Sequence, residues 1–248
     1  MTPTLLLAVH GTRDPNGTSV AQALAREVAE DAGVPVRLGF ADVCHPDVGQ
    51  VAATIEGPIV VVPAFLAAGY HVHVDIPAQL ARTGRTAVPL ARARPDTLQD
   101  PRAAIITGAL GEDDRLITTA AHRLHHAGWR PADAVVLAAA GSSDPRALAH
   151  VGTAARRLAA ALATPAPVEA AYIATAAPTV PETVARLRRR GHTRVAIASW
   201  LLAPGLFHQR LAHAGADAVA DPLCPEDGIA EVITARYRAA AALQPARA

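Results

Sequence analysis

Three side chains in the first third of the chain have the chemistry to share one divalent cation: His10, Asp42 and His71. A neutral imidazole nitrogen suits borderline metals, and a carboxylate adds a charged oxygen donor. The three are far apart in sequence, so only the fold can bring them together. Each follows a short apolar run: Thr4–Val9 (TLLLAV) before His10, Val36–Ala41 (VRLGFA) before Asp42, and Ile59–Val62 (IVVV) ahead of the loop that carries His71. Each also has a plainer reading. A histidine after a strand often serves as a structural hydrogen-bonder, and Asp42 could equally cap a helix entered near Pro46.

The elements that must position these residues are legible as periodicity. Continuous apolar runs suit strands buried on both faces, as in a parallel sheet. Between the first two runs, Val20, Leu24 and Val28 recur every fourth residue, and Gly33 follows as a stop. Asp14 reads as the cap of this helix, with Pro15 at its first position. A shorter helix is expected from near Asp47 to Glu56, and a third from near Asp75. The order β-α-β-α-β-α implies right-handed crossovers and a doubly wound sheet. Ligands bind outside the carboxyl ends of such strands, at the switch in strand order. A flavodoxin-like order of 2-1-3 sets the ends of strands 1, 2 and 3 side by side, so His10, Asp42 and His71 should face one cleft. His45 and His73 flank these residues as alternative ligands. In an extended segment, His73 would point the same way as His71. Gly11 and Gly69 are expected to serve close backbone approach or a positive φ.

The chain then repeats itself. Ala134–Ala139 (AVVLAA), Val168–Ile173 and Arg194–Ala198 are the next strands, and Leu148, Val151, Leu158 and Leu162 mark a helix. His10-Gly11-Thr12-Arg13-Asp14-Pro15 aligns with Ala140-Gly141-Ser142-Ser143-Asp144-Pro145 at an offset of 130, and Gly69 aligns with Gly205 at 136. This steadiness implies duplication. The expected architecture is α/β, with two similar flavodoxin-like domains built on parallel sheets. They are placed at residues 1–120, carrying the metal site, and 121–248, lacking the histidines. The join falls near Gly111-Glu112-Asp113-Asp114 or Gly128-Trp129-Arg130-Pro131. In the second half Ala140 replaces His10 and Phe207 replaces His71, so the metal chemistry belongs to the first half. His208, one position from the match, is a further candidate. The second half is expected to wall the cleft through Gly141-Ser142-Ser143 and residues 200–207. His122, His125 and His126 read as solvated histidines on a helix surface.

Composition narrows the function. Lys and Arg number 23 against 22 Asp and Glu, so there is no basic excess to neutralise nucleic-acid phosphates. Two cysteines without a CxxC pair argue against a zinc ribbon or a disulfide framework. The opening MTPTLLLAVHG lacks a basic leader region, and no run approaches the ~20 apolar residues of a membrane span, so a cytoplasmic protein is expected. No GxxxxGK(S/T) phosphate loop occurs in the sequence. A histidine phosphatase would carry Arg-His-Gly after its first strand. Here Val9 precedes His10, and that reading fails.

The segments VHGTRDP (9–15), VVPAFLAAGYHVHVDIP (61–77) and AAAGSSDP (138–145) resemble the sirohydrochlorin chelatases of the class II chelatase superfamily. The resemblance spans nearly the whole chain, and Ala68-Gly69-Tyr70-His71-Val72 with Asp75-Ile76-Pro77 is its most specific part. It implies an ATP-independent lyase-type enzyme that inserts Fe2+ or Co2+ into sirohydrochlorin, for siroheme or cobalamin. The metal is then a substrate, and no organic cofactor is expected. The resemblance places metal binding and assistance to insertion on His10 and His71. An acidic position after strand 2, commonly glutamate in the family, falls on Asp42. An imidazole with an ordinary pKa near ~6.5 can ligate the ion or accept a pyrrole proton. The substrate is rich in carboxylates. Arg13, the amides at Gly11 and Thr12, and the hydroxyls of Ser142 and Ser143 are its candidate anchors. Gly69 and Tyr70 complete the binding set; Tyr70 and Phe65 are candidates to pack on the macrocycle, and Phe65 reads equally well as a core residue. A duplicated chain is compatible with a monomer. The rival reading is a non-catalytic tetrapyrrole or metal carrier, which would use the same ligands and is separated from an enzyme by turnover.

Overall fold

The computed structural model describes residues 2–111 and 113–243; Glu112, placed near the join by sequence, lies outside them. The chain divides into two compact units. In the first, β1 (Thr4–Val9), β2 (Val36–Phe40), β3 (Ile59–Pro63), β4 (Thr86–Pro89) and β5 (Ala103–Ile106) form a parallel sheet in the order β2-β1-β3-β5-β4. The expected 2-1-3 core is present. β5 inserts between β3 and β4, so the far edge departs from a simple sequential order.

Leu5–Ala8 of β1 and Ile59–Val62 of β3 are fully buried, as strands covered on both faces must be. Helix α1 (Pro15–Ala32) buries Gly17, Ala21, Leu24 and Val28. The Asp14 side chain accepts from the Asn16 amide at its start, and Gly33 closes it at φ 67°, a left-handed conformation that costs glycine little. On the sheet's other side, Val48 and Val51 of α2 (Val48–Ala53) and Ile76 and Leu80 of α3 (Ile76–Ala81) cluster with Leu6, Ala8, Ile59 and Val61. Helix α2 is capped by Asp47, whose carboxylate accepts from the Gln50 amide while the Gln50 side chain accepts from the Asp47 amide. The helix beyond Pro46 therefore takes Asp47 as its cap, which leaves Asp42 outside it. The Arg85 guanidinium fastens the far end of α2, donating to the carbonyls of Ala52, Ile55, Gly57 and Pro101. Burial pushes its pKa below the usual arginine value, against the opposing pull of Asp100.

In the second unit, β6 (Ala134–Ala139), β7 (Val168–Tyr172), β8 (Val195–Trp200) and β9 (Ala218–Val219) form a parallel sheet in the order β7-β6-β8-β9. Helix α4 (Asp114–His126) packs on α5 (Pro145–Leu162) and β8, while α6 (Val180–Arg189) lies against β6 and β7 and α7 (Leu206–Leu211) follows β8. The units comprise residues 111–228 and, for the first, 1–110 together with 229 onward. This differs from a division at residue 120. The whole of α4 belongs to the second sheet, and the last helix, α8 (Asp227–Ala241), joins the first unit from Ile229. There Tyr237 Oη donates to the Pro3 carbonyl at 2.7 Å, and Arg236 and Arg238 donate to the carbonyls of Leu110 and Asp31. Ile229, Val232 and Ile233 of α8 are fully buried. Among the described residues no helix is long and apolar enough to cross a membrane.

Candidate metal centre

The parallel ladder that forms the sheet continues one or two residues past the strands. Ala41 donates to the Val9 carbonyl at 2.7 Å, Asp42 to His10 at 3.2 Å, and Ala64 to Ala8 at 2.8 Å. His10 and Asp42 are thereby fixed in register at the carboxyl edge. Gly11 makes the close approach possible. Its φ is 86°, and a Cβ there would lie 2.3 Å from the Asp42 carbonyl oxygen. Val43 pays for the turn in strain, with a φ of 68° that is rare for a β-branched residue, and its amide donates to Asp42 Oδ1 at 2.7 Å. That bond orients the carboxylate, and its second oxygen has no hydrogen-bond partner among the described residues.

His71 arrives differently. Val72 and His73 donate to the Gly69 carbonyl, and residues His71–Asp75 form a π-helical turn closed by the Ile76 amide on the His71 carbonyl. Single π turns of this kind recur at functional sites. Of the two roles expected for Gly69, positive φ is not the one it takes; it contributes its carbonyl to the start of the turn. The turn also overturns the extended reading of this segment. His73, two residues on in a helix, no longer shares a side with His71, and it is exposed.

One donor atom each from His10, Asp42 and His71 lies within 4.8 Å of the others. Donors bound at ~2.0–2.2 Å to a single ion sit about 3.3–4.4 Å apart, so side-chain shifts of about an ångström close the set. The two imidazole centroids are 4.6 Å apart with the rings at 88°, and Phe65 lies beside both, at 6.2 Å from His10 and 5.9 Å from His71. Each imidazole has its Nδ1 engaged: His10 at 3.0 Å from the Gly11 carbonyl oxygen, and His71 at 2.6 Å from Asp75 Oδ2. A carbonyl only accepts, so His10 carries its proton on Nδ1 there and keeps Nε2 for an ion. Two imidazoles and one carboxylate occupy three positions around a metal and leave the rest open to water or an incoming ligand. His10 and Asp42 are exposed and His71 is half-buried, so the open side meets solvent.

The other expected residues divide clearly. Arg13 is exposed, and Tyr70 is 61% exposed at the head of the π turn. Thr12 Oγ1 accepts from the Asp14 amide at 3.1 Å, which leaves its hydroxyl proton free to donate. Ser142 makes the same bond to the Asp144 amide at 3.0 Å in the second unit, and Ser143 beside it is exposed. His45 sits 3.3 Å from Gln50 Oε1 and His208 3.3 Å from the Ala220 carbonyl oxygen, and neither belongs to the cluster. The residue that sequence reasoning missed is Asp75. The sequence marks it as a helix start and as part of the family-like Asp75-Ile76-Pro77, while its His-x3-Asp spacing to His71, which signals a side-chain pair inside a helical turn, goes unread.

The sequence profile of the CbiX family matches residues 4–127 and again residues 134–240. A sirohydrochlorin cobaltochelatase of Methanothermobacter thermautotrophicus is 36% identical over 77 residues, which are 29% of this chain and 54% of that protein. The chain spans about half the length of the curated relatives it matches. SirB from Bacillus subtilis with Fe3+ has a similar fold, with a TM-score of 0.76 at 20% identity over 98% of this chain and 96% of that one. The sirohydrochlorin chelatase SirB from Bacillus subtilis subspecies spizizenii in complex with cobalt superposes at 0.72 and 19% identity, with the same coverage.

Proposed function

We propose, from the premise that the chain belongs to the CbiX family, that it inserts a divalent metal, Co2+ or Fe2+, into sirohydrochlorin. The observation that carries this reading is the convergence of His10, Asp42 and His71 around one point with coordination positions to spare. A resident structural metal is enclosed by its ligands, whereas an ion to be handed on needs a partial shell and an open side. Two imidazoles and one carboxylate fit Fe2+ and Co2+ alike. The curated relatives are named for cobalt, which favours Co2+ as the first metal to try.

The ion binds as a substrate to the three side chains with its remaining positions filled by water. The macrocycle approaches from the exposed side, where Arg13 and the amides at Gly11 and Thr12 can meet its carboxylates and Tyr70 its flat face. As pyrrole nitrogens replace the protein donors, two N–H protons leave and the dication takes their place, so charge balances without a nucleotide or an electron donor. An imidazole released from the metal becomes a proton acceptor at the moment one is required. The first unit carries this chemistry, since Ala140 and Phe207 of the second offer no donor.

The test is a visible-spectrum assay of sirohydrochlorin with Co2+ and Fe2+, comparing the parent with His10→Ala and His71→Ala. Multiple turnovers per chain are expected for the parent, with a drop of at least ~100-fold in either variant. A parent that yields no more than one metallated product per chain would make the protein a carrier. Variants that insert metal at the parental rate would sink the site.

A further inference from the structure

Building on the reading of His71 as a ligand to the substrate ion, we propose that Asp75 is the positioning residue of the centre: its carboxylate holds the His71 proton on Nδ1 and so presents Nε2 as a lone pair. Three observations lead there. Asp75 Oδ2 lies 2.6 Å from His71 Nδ1, and both side chains are under one-third exposed, so the contact is shielded from competing water. An ionised carboxylate only accepts hydrogen bonds, so a neutral ring in this contact must carry its proton on Nδ1. A neutral imidazole without such a partner favours the Nε2–H form, which blocks the nitrogen that faces away from Asp75. The bond made by one ring nitrogen thus decides what the other can do.

The second observation is local structure. The π turn His71–Asp75 brings the two residues together within five positions of the chain, and Phe65 lies 5.9 Å from the imidazole, so ring and carboxylate are confined by the same segment. The third is the duplicate. At the offset of 136 that relates Gly69 to Gly205, His71 corresponds to Phe207 and Asp75 to Leu211. Leu211 is 1% exposed and packs in the second unit's core. Where the imidazole is missing, the carboxylate is missing with it. Each position is apolar there, as expected if the carboxylate exists for the ring and not for the scaffold. The two ligands also differ in kind. Among the described residues His10 is hydrogen-bonded to the carbonyl of its own neighbour, His71 to a charged group one helical turn away.

The experiment uses the full chain labelled with 15N-histidine. Long-range 1H–15N spectra near pH ~8 report which nitrogen of His71 carries the proton, and a Co2+ titration followed by visible absorption reports affinity. Expected are an Nδ1–H form in the parent, a shift toward Nε2–H in Asp75→Ala, and Co2+ binding about 10–100-fold weaker in Asp75→Ala and Asp75→Asn. Asp75→Glu, which keeps the carboxylate, should recover part of the loss. Unchanged affinity in Asp75→Ala overturns the assignment. So does a parent spectrum with the His71 proton on Nε2, which decides the matter even if the variants fail to fold. A parent that binds Co2+ through His71 in the Nδ1–H form yet never metallates sirohydrochlorin would refute the proposed function and leave the role of Asp75 standing.

Discussion

The two units are built on one scaffold and differ at the places where chemistry would occur. Gly11 and Gly141 both turn at positive φ, and a Cβ at either would strike a carbonyl oxygen, of Asp42 at 2.3 Å and of Ala174 at 1.8 Å. Val43 and Thr175, at matching positions, share the left-handed conformation, with φ of 68° and 66°. Thr12 and Ser142 make the same hydroxyl bond two residues on, and Asp47 and Thr179 open helices with the same reciprocal cap. Against this identity of backbone, His10, Asp42, His71 and Asp75 stand opposite Ala140, Ala174, Phe207 and Leu211. The strained edge loops therefore do not depend on a metal. They follow from bringing two strand ends together, and donors are an addition that one copy has and the other lacks.

The sharpest way to break this comparison is to give the first unit the residues of the second. His71→Phe with Asp75→Leu should abolish Co2+ binding, a loss of three orders of magnitude or more in affinity, while circular dichroism and thermal midpoint stay near the parent's. A midpoint that collapses would show that these residues support the fold as well as the ion. Next in size is the shared turn. Gly11→Ala and Gly141→Ala should each destabilise by about 2–4 kcal/mol, since strain at positive φ adds to a clash with backbone. Urea unfolding of the two variants should show losses of similar size, with only Gly11→Ala also disturbing Co2+ affinity. Equal effects on affinity would place metal chemistry in both copies.

The smallest effect concerns a feature of the second unit alone. Asp217 accepts from the Val195 amide at 2.8 Å, and this bond, helped by Arg188 and Arg194, holds its carboxyl below the usual carboxylate range. A depressed acid contributes stability that is complete above its unfolded value near ~3.9 and is lost as pH falls through the lower, folded value. Asp217→Asn should cost about 1 kcal/mol at neutral pH, and the gap from the parent should narrow below pH ~3.9, read as thermal midpoints across that range. A gap that persists in acid would assign the effect to packing.

Much of this was legible in the residues. β1 and β6 fall where TLLLAV and AVVLAA predict them, because continuous apolar runs bounded by glycine and polar turns have few other uses in a chain this size. The placing of His10 and Asp42 at the carboxyl edge was legible for the same reason: a polar residue just past a buried strand lies at the sheet's edge. β4, β5 and β9 have four, four and two residues and carry no alternation to mark them. Nor could periodicity show that β5 slips between β3 and β4, because strand order is a property of crossovers, not of composition. The π turn was hidden because its distinguishing bond, from the Ile76 amide to the His71 carbonyl, is one residue longer than the α-helical bond and leaves no trace in side-chain pattern. Asp75 was obscured by the same misreading.

The return of α8 to the first unit has a consequence for how the molecule comes into being. A ribosome releases residues 1–110, then all of the second unit, and only afterwards the helix whose Tyr237 reaches back to Pro3. The unit that carries His10, Asp42 and His71 is begun before the second unit and completed after it. It waits, missing one wall, while its sibling is synthesised whole, and a nascent chain halted near residue 228 would hold one complete lobe and one that is still open.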